Sequence, residues 1–117
     1  MMEFCSVADA AAHFGASART VERLMRDGRL RSRRVGGGRL VAWADIWALE
    51  GVQPGHAACA EHMRPLLSLE EARDVLGAPT LEATLDLLAQ RRVPLIEIGR
   101  LRRVSRPALR AAQERGA

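Results

Sequence analysis

The sequence predicts a mainly α-helical fold with small β-hairpins, built as two similar units that follow one another along the chain. Two observations predict it. The chain contains an internal repeat, and each copy has two short helical patterns separated by a glycine and followed by an extended pair around glycine. A chain of 117 residues is long enough for one ordinary domain or two very small ones. Its 48% of apolar residues suffices for a packed core.

The repeat is visible in two pairs of aligned segments. SVADAAAHFGAS at 6–17 aligns with SLEEARDVLGAP at 68–79, and RLRSRRVGGGRLV at 29–41 aligns with RVPLIEIGRLRRV at 92–104. The first pair is offset by 62 residues and the second by 63, so the second copy has gained one residue, around 79–81. We therefore predict a first unit at 1–51, a linker at 52–66 and a second unit at 67–117. The linker contains two prolines and a glycine, with a helical turn expected over 57–63.

The first unit begins with two helical patterns. Ser6 is followed by Asp9 in the spacing of a capping box, and the apolar positions after Ser6 lie on one helix face. Gly15 is a typical helix stop, and Ser17 provides a new N-cap only two residues later. Two helices joined by so short a turn must pack at an angle, which is the helix-turn-helix motif. The second copy repeats this start with a complete capping box at Ser68.

The second helix of the first unit is predicted over 18–27, with one apolar and one basic face. At 100° per residue, three apolar positions face inward: Val21, Leu24 and Met25. Three arginines face the opposite way, with Glu22 beside them: Arg19, Arg23 and Arg26. Such an outward stripe suits the major groove of DNA, where guanidinium groups pair with guanine edges or phosphates. Thr20, near the helix start, is a further candidate for a phosphate or thymine-methyl contact. The alternative is an ordinary amphipathic surface helix, stabilised by a Glu22–Arg26 pair.

An extended pattern follows Gly28 and predicts a β-hairpin. LRSRRV alternates apolar and basic residues, three glycines at 36–38 form the tip, and RLVAW resumes the extended pattern. Glycines at a tip, Gly37 among them, permit close approach of the backbone to another surface. A basic hairpin beside a helix-turn-helix is a wing, suited to the phosphate backbone or the minor groove. The arginines that flank the tip are Arg33, Arg34 and Arg39.

Charge is concentrated in two segments of the chain. Residues 19–41 hold eight arginines and two acidic residues, and residues 91–110 hold seven arginines and one acidic residue. The formal net charge of the whole chain is only +4, so the remainder is acidic. Two concentrated positive segments indicate a polyanionic partner. The alternative is a solvated, arginine-rich face.

The segment TVERLMRDGRLRSRRVGGGRLVAWADI resembles the MerR-like winged helix of phage and plasmid excisionases. The resemblance covers about 45 residues well and the second copy only loosely. It implies double-stranded DNA binding by a small architectural or regulatory protein, such as a recombination directionality factor or a transcription regulator. The usual excisionase is a single unit, so the second copy departs from the family. The matching positions are Thr20, Val21, Arg23, Leu24, Gly28, Leu30, Val35, Gly36 and Asp45.

The second copy differs chemically from the first. Its second helix, at 80–90, has two possible registers. Either Leu81, Leu85 and Leu88 face the core or, in the register of the first copy, Thr84, Leu87 and Leu88 do. In both registers Glu82 and Asp86 face outward, where the first copy has arginines, and an acidic helix would repel phosphates. We therefore expect the second unit to contact the DNA backbone through its hairpin, or to meet a partner protein or another copy. Its basic residues are Arg91 and Arg92 after the helix, and Arg100, Arg102 and Arg103 around Gly99.

The function predicted from the sequence is sequence-specific binding of double-stranded DNA. The alternative is an adaptor or dimerisation module that uses the acidic second unit to hold a recombinase, RNA polymerase or a second copy. The predicted DNA-binding residues are Ser17, Arg19, Thr20, Arg23, Arg26, Arg33, Arg34, Gly37, Arg39, Arg91, Arg92, Arg100, Arg102 and Arg103.

The remaining features predict no enzyme, cofactor or small-molecule ligand. No acid pair, phosphate loop or catalytic triad pattern stands out. His56, Cys59 and His62 could form a metal site together with Cys5. The preferred interpretation is that they are linker residues without a role, because zinc ligands normally occur in pairs at tighter spacing. His13 is expected to be partly exposed, whereas Trp43 and Trp47 are expected to anchor the hairpin and the following helix to the core. No membrane segment or secretory signal is visible, so the prediction is a cytoplasmic protein.

Overall fold

The computed structural model describes residues 3–116 and confirms a mainly helical chain with small sheets. Its first half has three helices around one antiparallel sheet, in which β3 lies between β1 and β2. The predicted hairpin is present, with Gly36 and Gly37 in its turn and Gly38 already paired with Val35. The elements are β1 (Phe4–Ser6), α1 (Val7–Phe14), α2 (Ala18–Arg26), β2 (Arg33–Val35), β3 (Gly38–Ala42) and α3 (Trp43–Glu50).

The second half has the same order of elements and the same strand order, with β6 between β4 and β5. Two residues separate Gly77 from Thr80, whereas one residue separates Gly15 from Ser17. The extra residue of the second copy therefore lies in the turn between its first two helices. A 3-10 turn (His56–Ala58) and α4 (Cys59–His62) come first, at the predicted helical turn. They are followed by β4 (Leu67–Ser68), α5 (Leu69–Leu76), α6 (Leu81–Gln90), β5 (Ile96–Ile98), β6 (Leu101–Val104) and α7 (Arg106–Gly116).

The helix boundaries follow the predicted caps. The Ser6 side chain accepts a hydrogen bond from the backbone N–H of Asp9, and the Ser17 side chain accepts one from Thr20. Ser68 and Glu71 form the complete capping box, and the backbone N–H of Ser68 holds the pKa of Glu71 below its usual value. Each such cap satisfies backbone groups that a helix end leaves without partners.

Each half has its own core, and the first core extends beyond the first half. It is built around Phe14, Val21 and Ile46, but it also includes buried side chains from the linker and the second hairpin: Leu66, Ile96 and Ile98. In the second core Leu88 is buried, and Thr84 is fully buried in the same helix, while Leu81 is 37% exposed. The register of α6 is therefore that of the first copy, and the alternative with Leu81 inward is wrong.

His13 is buried rather than partly exposed, so the expectation for this residue is wrong. Its Nε2 lies 2.6 Å from a carboxylate oxygen of Glu50 at the end of α3, and its Nδ1 lies 3.3 Å from the Met63 carbonyl oxygen. Both side chains of the His13–Glu50 pair are almost fully buried. The Trp43 ring packs edge-on against the imidazole at 5.0 Å between centroids. The reason is tertiary: α3 and the linker cover a face of α1 that the helical pattern alone leaves open.

The linker packs against both halves. The Leu66 N–H donates to the His13 carbonyl oxygen at 2.8 Å, and the Trp47 indole N–H donates to the His62 carbonyl oxygen at 3.1 Å. On the other side, Arg110 of α7 forms an ion pair with Glu61 of α4. Trp43 is buried and Trp47 packs against the first core, which confirms the predicted anchoring role of both tryptophans. In the described residues, every helix is too short or too polar to cross a bilayer.

Replacing Gly15 by alanine is expected to destabilise the chain more than the equivalent change at Gly77. Both glycines end the first helix of their unit in the left-handed region, at φ 64° and 66°. An alanine there costs about 1–2 kcal/mol of backbone strain. A Cβ on Gly15 would also lie 3.1 Å from the Arg103 Nε, whereas a Cβ on Gly77 would have no heavy atom within 4 Å. Urea unfolding of both variants measures the difference, and equal losses would contradict the close approach of Arg103.

Candidate nucleic-acid interface

An open cleft of about 660 Å³ lies between α2 and the first hairpin. Both elements that were predicted to meet DNA therefore border one concavity. Glu22 is the single acidic residue among those that line it. The lining residues are Val7, Glu22, Met25, Arg26, Ser32, Arg34, Gly37, Gly38 and Arg39.

The strand register explains why two hairpin arginines face this cleft. Arg34 lies directly opposite Arg39 in the β2–β3 pair, so both side chains leave the same face of the sheet. Val41 follows Arg39 by two residues on the same strand and is fully buried beneath the helices. The face that carries Arg34 and Arg39 is thus the face that turns toward α2.

Helix α2 presents its arginines as the sequence predicted. Val21 and Leu24 are buried, whereas three arginines on the opposite side are exposed: Arg19, Arg23 and Arg26. The Ser17 hydroxyl is engaged as N-cap of this helix and also lies 3.1 Å from the Thr20 hydroxyl. The outward stripe therefore begins at a capped, solvent-facing helix start.

The arginines around the cleft have no carboxylate partners. Within residues 3–116, no Asp or Glu oxygen lies within 4.0 Å of the guanidinium groups of Arg26, Arg34 or Arg39, and the same holds for Arg19 and Arg23. The Glu22–Arg26 pair considered in the sequence is not formed. Several unneutralised positive charges along one concave surface create a positive potential, which attracts a polyanion.

Arg33 is separated from the other hairpin arginines. Neighbouring residues of a strand point to opposite faces, so Arg33 leaves the sheet on the side away from α2. There its guanidinium lies 5.3 Å from the centre of the Phe4 ring. The structure therefore places Arg33 outside the cleft that holds Arg34 and Arg39, a division that counting arginines along the hairpin could not reveal.

The predicted basic residues of the second unit lie in three different surroundings. Arg91 and Arg92 border a separate depression at the end of α6, together with Arg115 of α7. Arg100 and Arg102 are exposed on the second hairpin. Arg103 is half-buried and hydrogen-bonded to the first half of the chain: its Nε donates to the Phe14 carbonyl oxygen at 2.9 Å and its Nη2 to the Gly15 carbonyl oxygen at 2.7 Å. The sequence grouped Arg103 with the DNA-binding residues, and the structure shows that two nitrogens of its guanidinium donate to backbone carbonyl oxygens.

The tip of the second hairpin lies beside the start of α2. A Cβ on Gly99 would be 3.3 Å from the Thr20 methyl group, so the Gly99 backbone lies close to the Thr20 side chain. Arg100 follows Gly99 directly and is exposed. The start of α2 is thus bordered by the second hairpin, while its later turns border the first.

Charges at equivalent positions of the two units are reversed. With the offset of 63 residues, Arg19 corresponds to Glu82, Arg23 to Asp86 and Arg34 to Glu97, and all six side chains are exposed. The sequence had already indicated the two acidic positions on α6. Glu97 was missed, although the same offset applied to the hairpin would have found it.

The described residues contain no group of three or more His, Cys, Asp or Glu side chains arranged to hold a metal ion. Burial raises the pKa of the Cys5 thiol to about 11, with a further contribution from the negative charge of Asp9. Cys5 is therefore protonated at neutral pH and belongs to the first core.

Comparison with known proteins identifies the segment that carries this cleft. Residues 4–46 match the family model of a helix-turn-helix domain, a DNA-binding family of the excisionase type. The match runs from β1 into α3 and so includes both helices of the motif and the first hairpin. No significant match was found among curated proteins or solved structures. The predicted helix-turn-helix is confirmed for this segment.

Proposed function

We propose, on the premise that residues 4–46 are a helix-turn-helix domain, that this chain binds double-stranded DNA in a sequence-specific manner through the cleft between α2 and the first hairpin. The observation that carries the proposal is the convergence of Arg26, Arg34 and Arg39, without carboxylate partners, on that one concavity. We assign to the chain the task of a small transcription regulator or of an excisionase-like recombination factor.

Helix α2 lies in the major groove in this proposal. The groove is about 12 Å wide and accepts one α-helix whose outward side chains reach base edges. Arg19, Arg23 and Arg26 read bases or grip phosphates, and Thr20 contacts the backbone at the helix start. The first hairpin lies along the flanking backbone or minor groove, where Gly37 permits close approach and Arg34 and Arg39 bind phosphates. Arg100 adds a phosphate contact on the other side of α2.

Replacing Arg34 and Arg39 with alanine is expected to weaken DNA binding on every duplex sequence. Each lost phosphate contact reduces the slope of log K against log salt by about 1, so the double variant should lose about 2. Fluorescence anisotropy of a labelled duplex across a salt series measures both quantities. Binding that keeps its affinity and salt slope in the double variant would contradict the assignment.

The matched control is Arg33→Ala. It removes the same charge from the neighbouring position of the same strand, but from the opposite face of the hairpin. We expect the salt slope of this variant to equal that of the unchanged protein. A loss equal to that of Arg34→Ala alone would mean that binding senses only total charge, and the proposed cleft would be wrong.

We further propose that residues 67–116 are a second, diverged winged helix-turn-helix unit that does not read bases. The identical order of elements supports the first part of this proposal, and the acidic residues Glu82, Asp86 and Glu97 support the second. The same reversal of charge favours the alternative function, an adaptor whose second unit holds a protein partner or a second copy. Sedimentation with and without DNA separates the two: a stable dimer without DNA affinity at moderate salt favours the adaptor.

A further inference from the structure

The turn of the first helix-turn-helix is held by a side chain from the other half of the chain. Arg103 lies on β6, and its guanidinium donates to the carbonyl oxygens of Phe14 and Gly15, the last residue of α1 and its C-cap. Carbonyl groups at a helix C-terminus have no partners within the helix and carry partial negative charge. A guanidinium with two N–H donors in a fixed plane therefore ties the end of α1 to the second hairpin.

In the second unit, an arginine of the first helix itself binds the turn, at the two residues that follow the C-cap Gly77. Arg73 of α5 donates to the carbonyl oxygens of Ala78 and Pro79 in the turn that precedes α6. With the offset of 62 residues, the position equivalent to Arg73 in α1 is Ala11, which is buried and has no donor side chain. The first turn thus lacks an arginine of its own, and Arg103 supplies one from outside.

The second hairpin is built to reach the first unit. Ile96 lies opposite Arg103, and Ile98 lies opposite Leu101, so these residues share one face of the sheet. On that face Ile96 and Ile98 enter the first core. The equivalent residues of the first hairpin are Arg33 and Val35, and both are exposed. One face of the hairpin thus combines two apolar anchors with a charged clamp, and all three contact the first unit.

We propose that Arg103 is a positioning residue for the recognition helix α2, acting through the Gly15 turn rather than by contact with DNA. This inference rests on the proposed function, because it states how α2 is held at the angle required for the groove. Only Ala16 separates the clamped Gly15 from the N-cap Ser17. Gly99 of the same hairpin lies so close to α2 that a Cβ on it would be 3.3 Å from the Thr20 methyl group, which places the hairpin tip beside the first turn of α2. In this proposal, the second unit stabilises the position of the DNA-binding surface of the first.

The test compares Arg103→Ala with Arg100→Ala in the full-length chain, by anisotropy on one duplex across a salt series. A positioning residue makes no phosphate contact, so Arg103→Ala should reduce affinity about tenfold, the equivalent of one hydrogen bond to a charged group, without changing the salt slope. Arg100→Ala should lower the slope by about 1, because it removes a phosphate contact. A reduced slope for Arg103→Ala would overturn the proposal, as would unchanged affinity.

Arg73→Ala is the matched structural control, since it removes the same kind of clamp from the other turn. It should leave DNA affinity unchanged at a temperature at which all variants are folded. An equal loss of affinity in Arg73→Ala and Arg103→Ala would mean that general destabilisation causes the loss, and it would overturn the proposal. Hydrogen exchange provides a readout that needs no DNA. Arg103→Ala should speed exchange at the backbone amides of residues 15–20, and unchanged exchange there would refute the clamp even if the chain bound no DNA. Failure of the unchanged protein to bind any duplex would instead refute the proposed function.

Discussion

Replacing Arg23 and Arg26 together with alanine should lower the affinity for a preferred duplex by about 30-fold or more, because each bidentate guanidinium contact with a base edge is worth about 1–3 kcal/mol. Both side chains are exposed on the outward face of α2, and Arg26 also borders the cleft shared with the first hairpin. Neither has a carboxylate partner in the described residues, so their removal leaves no buried charge behind. The fold should therefore survive the change, and the loss should be confined to binding.

The measurement is selection of a preferred duplex from a random pool, followed by affinity determination on that duplex and on an unrelated one. We expect the preference between the two duplexes to collapse in the Arg23/Arg26 variant. The control removes Arg29 and Arg31, which lie near Asp45 at a separate depression away from the cleft. This control lowers the net charge equally. If it abolished the preference to the same degree, base reading by α2 would be excluded.

Replacing His13 with alanine should destabilise the protein by about 3–5 kcal/mol, since it leaves the buried carboxylate of Glu50 without its partner. Small domains are stable by only about 5–15 kcal/mol, so the variant loses a large fraction of its stability. Urea unfolding followed by tryptophan fluorescence is suitable, because the Trp43 ring packs directly against the imidazole. His56→Ala is the control: His56 is exposed, and its loss should change stability by less than about 0.5 kcal/mol.

A double variant separates the buried pair from simple loss of packing. Replacing both His13 and Glu50 with leucine removes both polar side chains and retains apolar volume, and such exchanges of a buried polar pair are often neutral or stabilising. We expect the double variant to recover most of the stability that His13→Ala loses. Losses in the single variants His13→Leu and Glu50→Leu that simply add in the double variant would show that His13 and Glu50 do not act as a pair.

Local features of the fold were predictable because neighbouring residues determine them. Serine caps, the glycine stop after α1 and the amphipathic pattern of α2 fixed the helix boundaries to within a residue. The choice between two registers of α6 required the core, since Leu81 and Thr84 are both compatible with an inward face until the packing of the second unit is known. Burial of Thr84 decided it.

Contacts between residues far apart in the chain could not be predicted from local sequence patterns. No sequence pattern near His13 predicts that it will form a hydrogen bond in the core with Glu50, which lies 37 residues later. Arg103 was grouped with Arg100 and Arg102 because all three are basic and close in sequence, yet only Arg103 reaches the Gly15 turn. The opposite faces of Arg33 and Arg34 follow from strand alternation, which charge counting ignores. Charge density located the candidate surface, whereas packing determined which arginines belong to it.

The buried positions of Leu66, Ile96 and Ile98 have a consequence for how the chain is divided. The stretch recognisable as a helix-turn-helix ends at Ile46, but the hydrophobic interior of that stretch is completed by three aliphatic side chains encoded up to 52 residues later. We therefore expect the smallest part of the chain that folds on its own to be larger than the recognisable motif. Substitutions at residues 96 and 98 in one half are therefore expected to act on the same hydrophobic interior as substitutions around Phe14 in the other half.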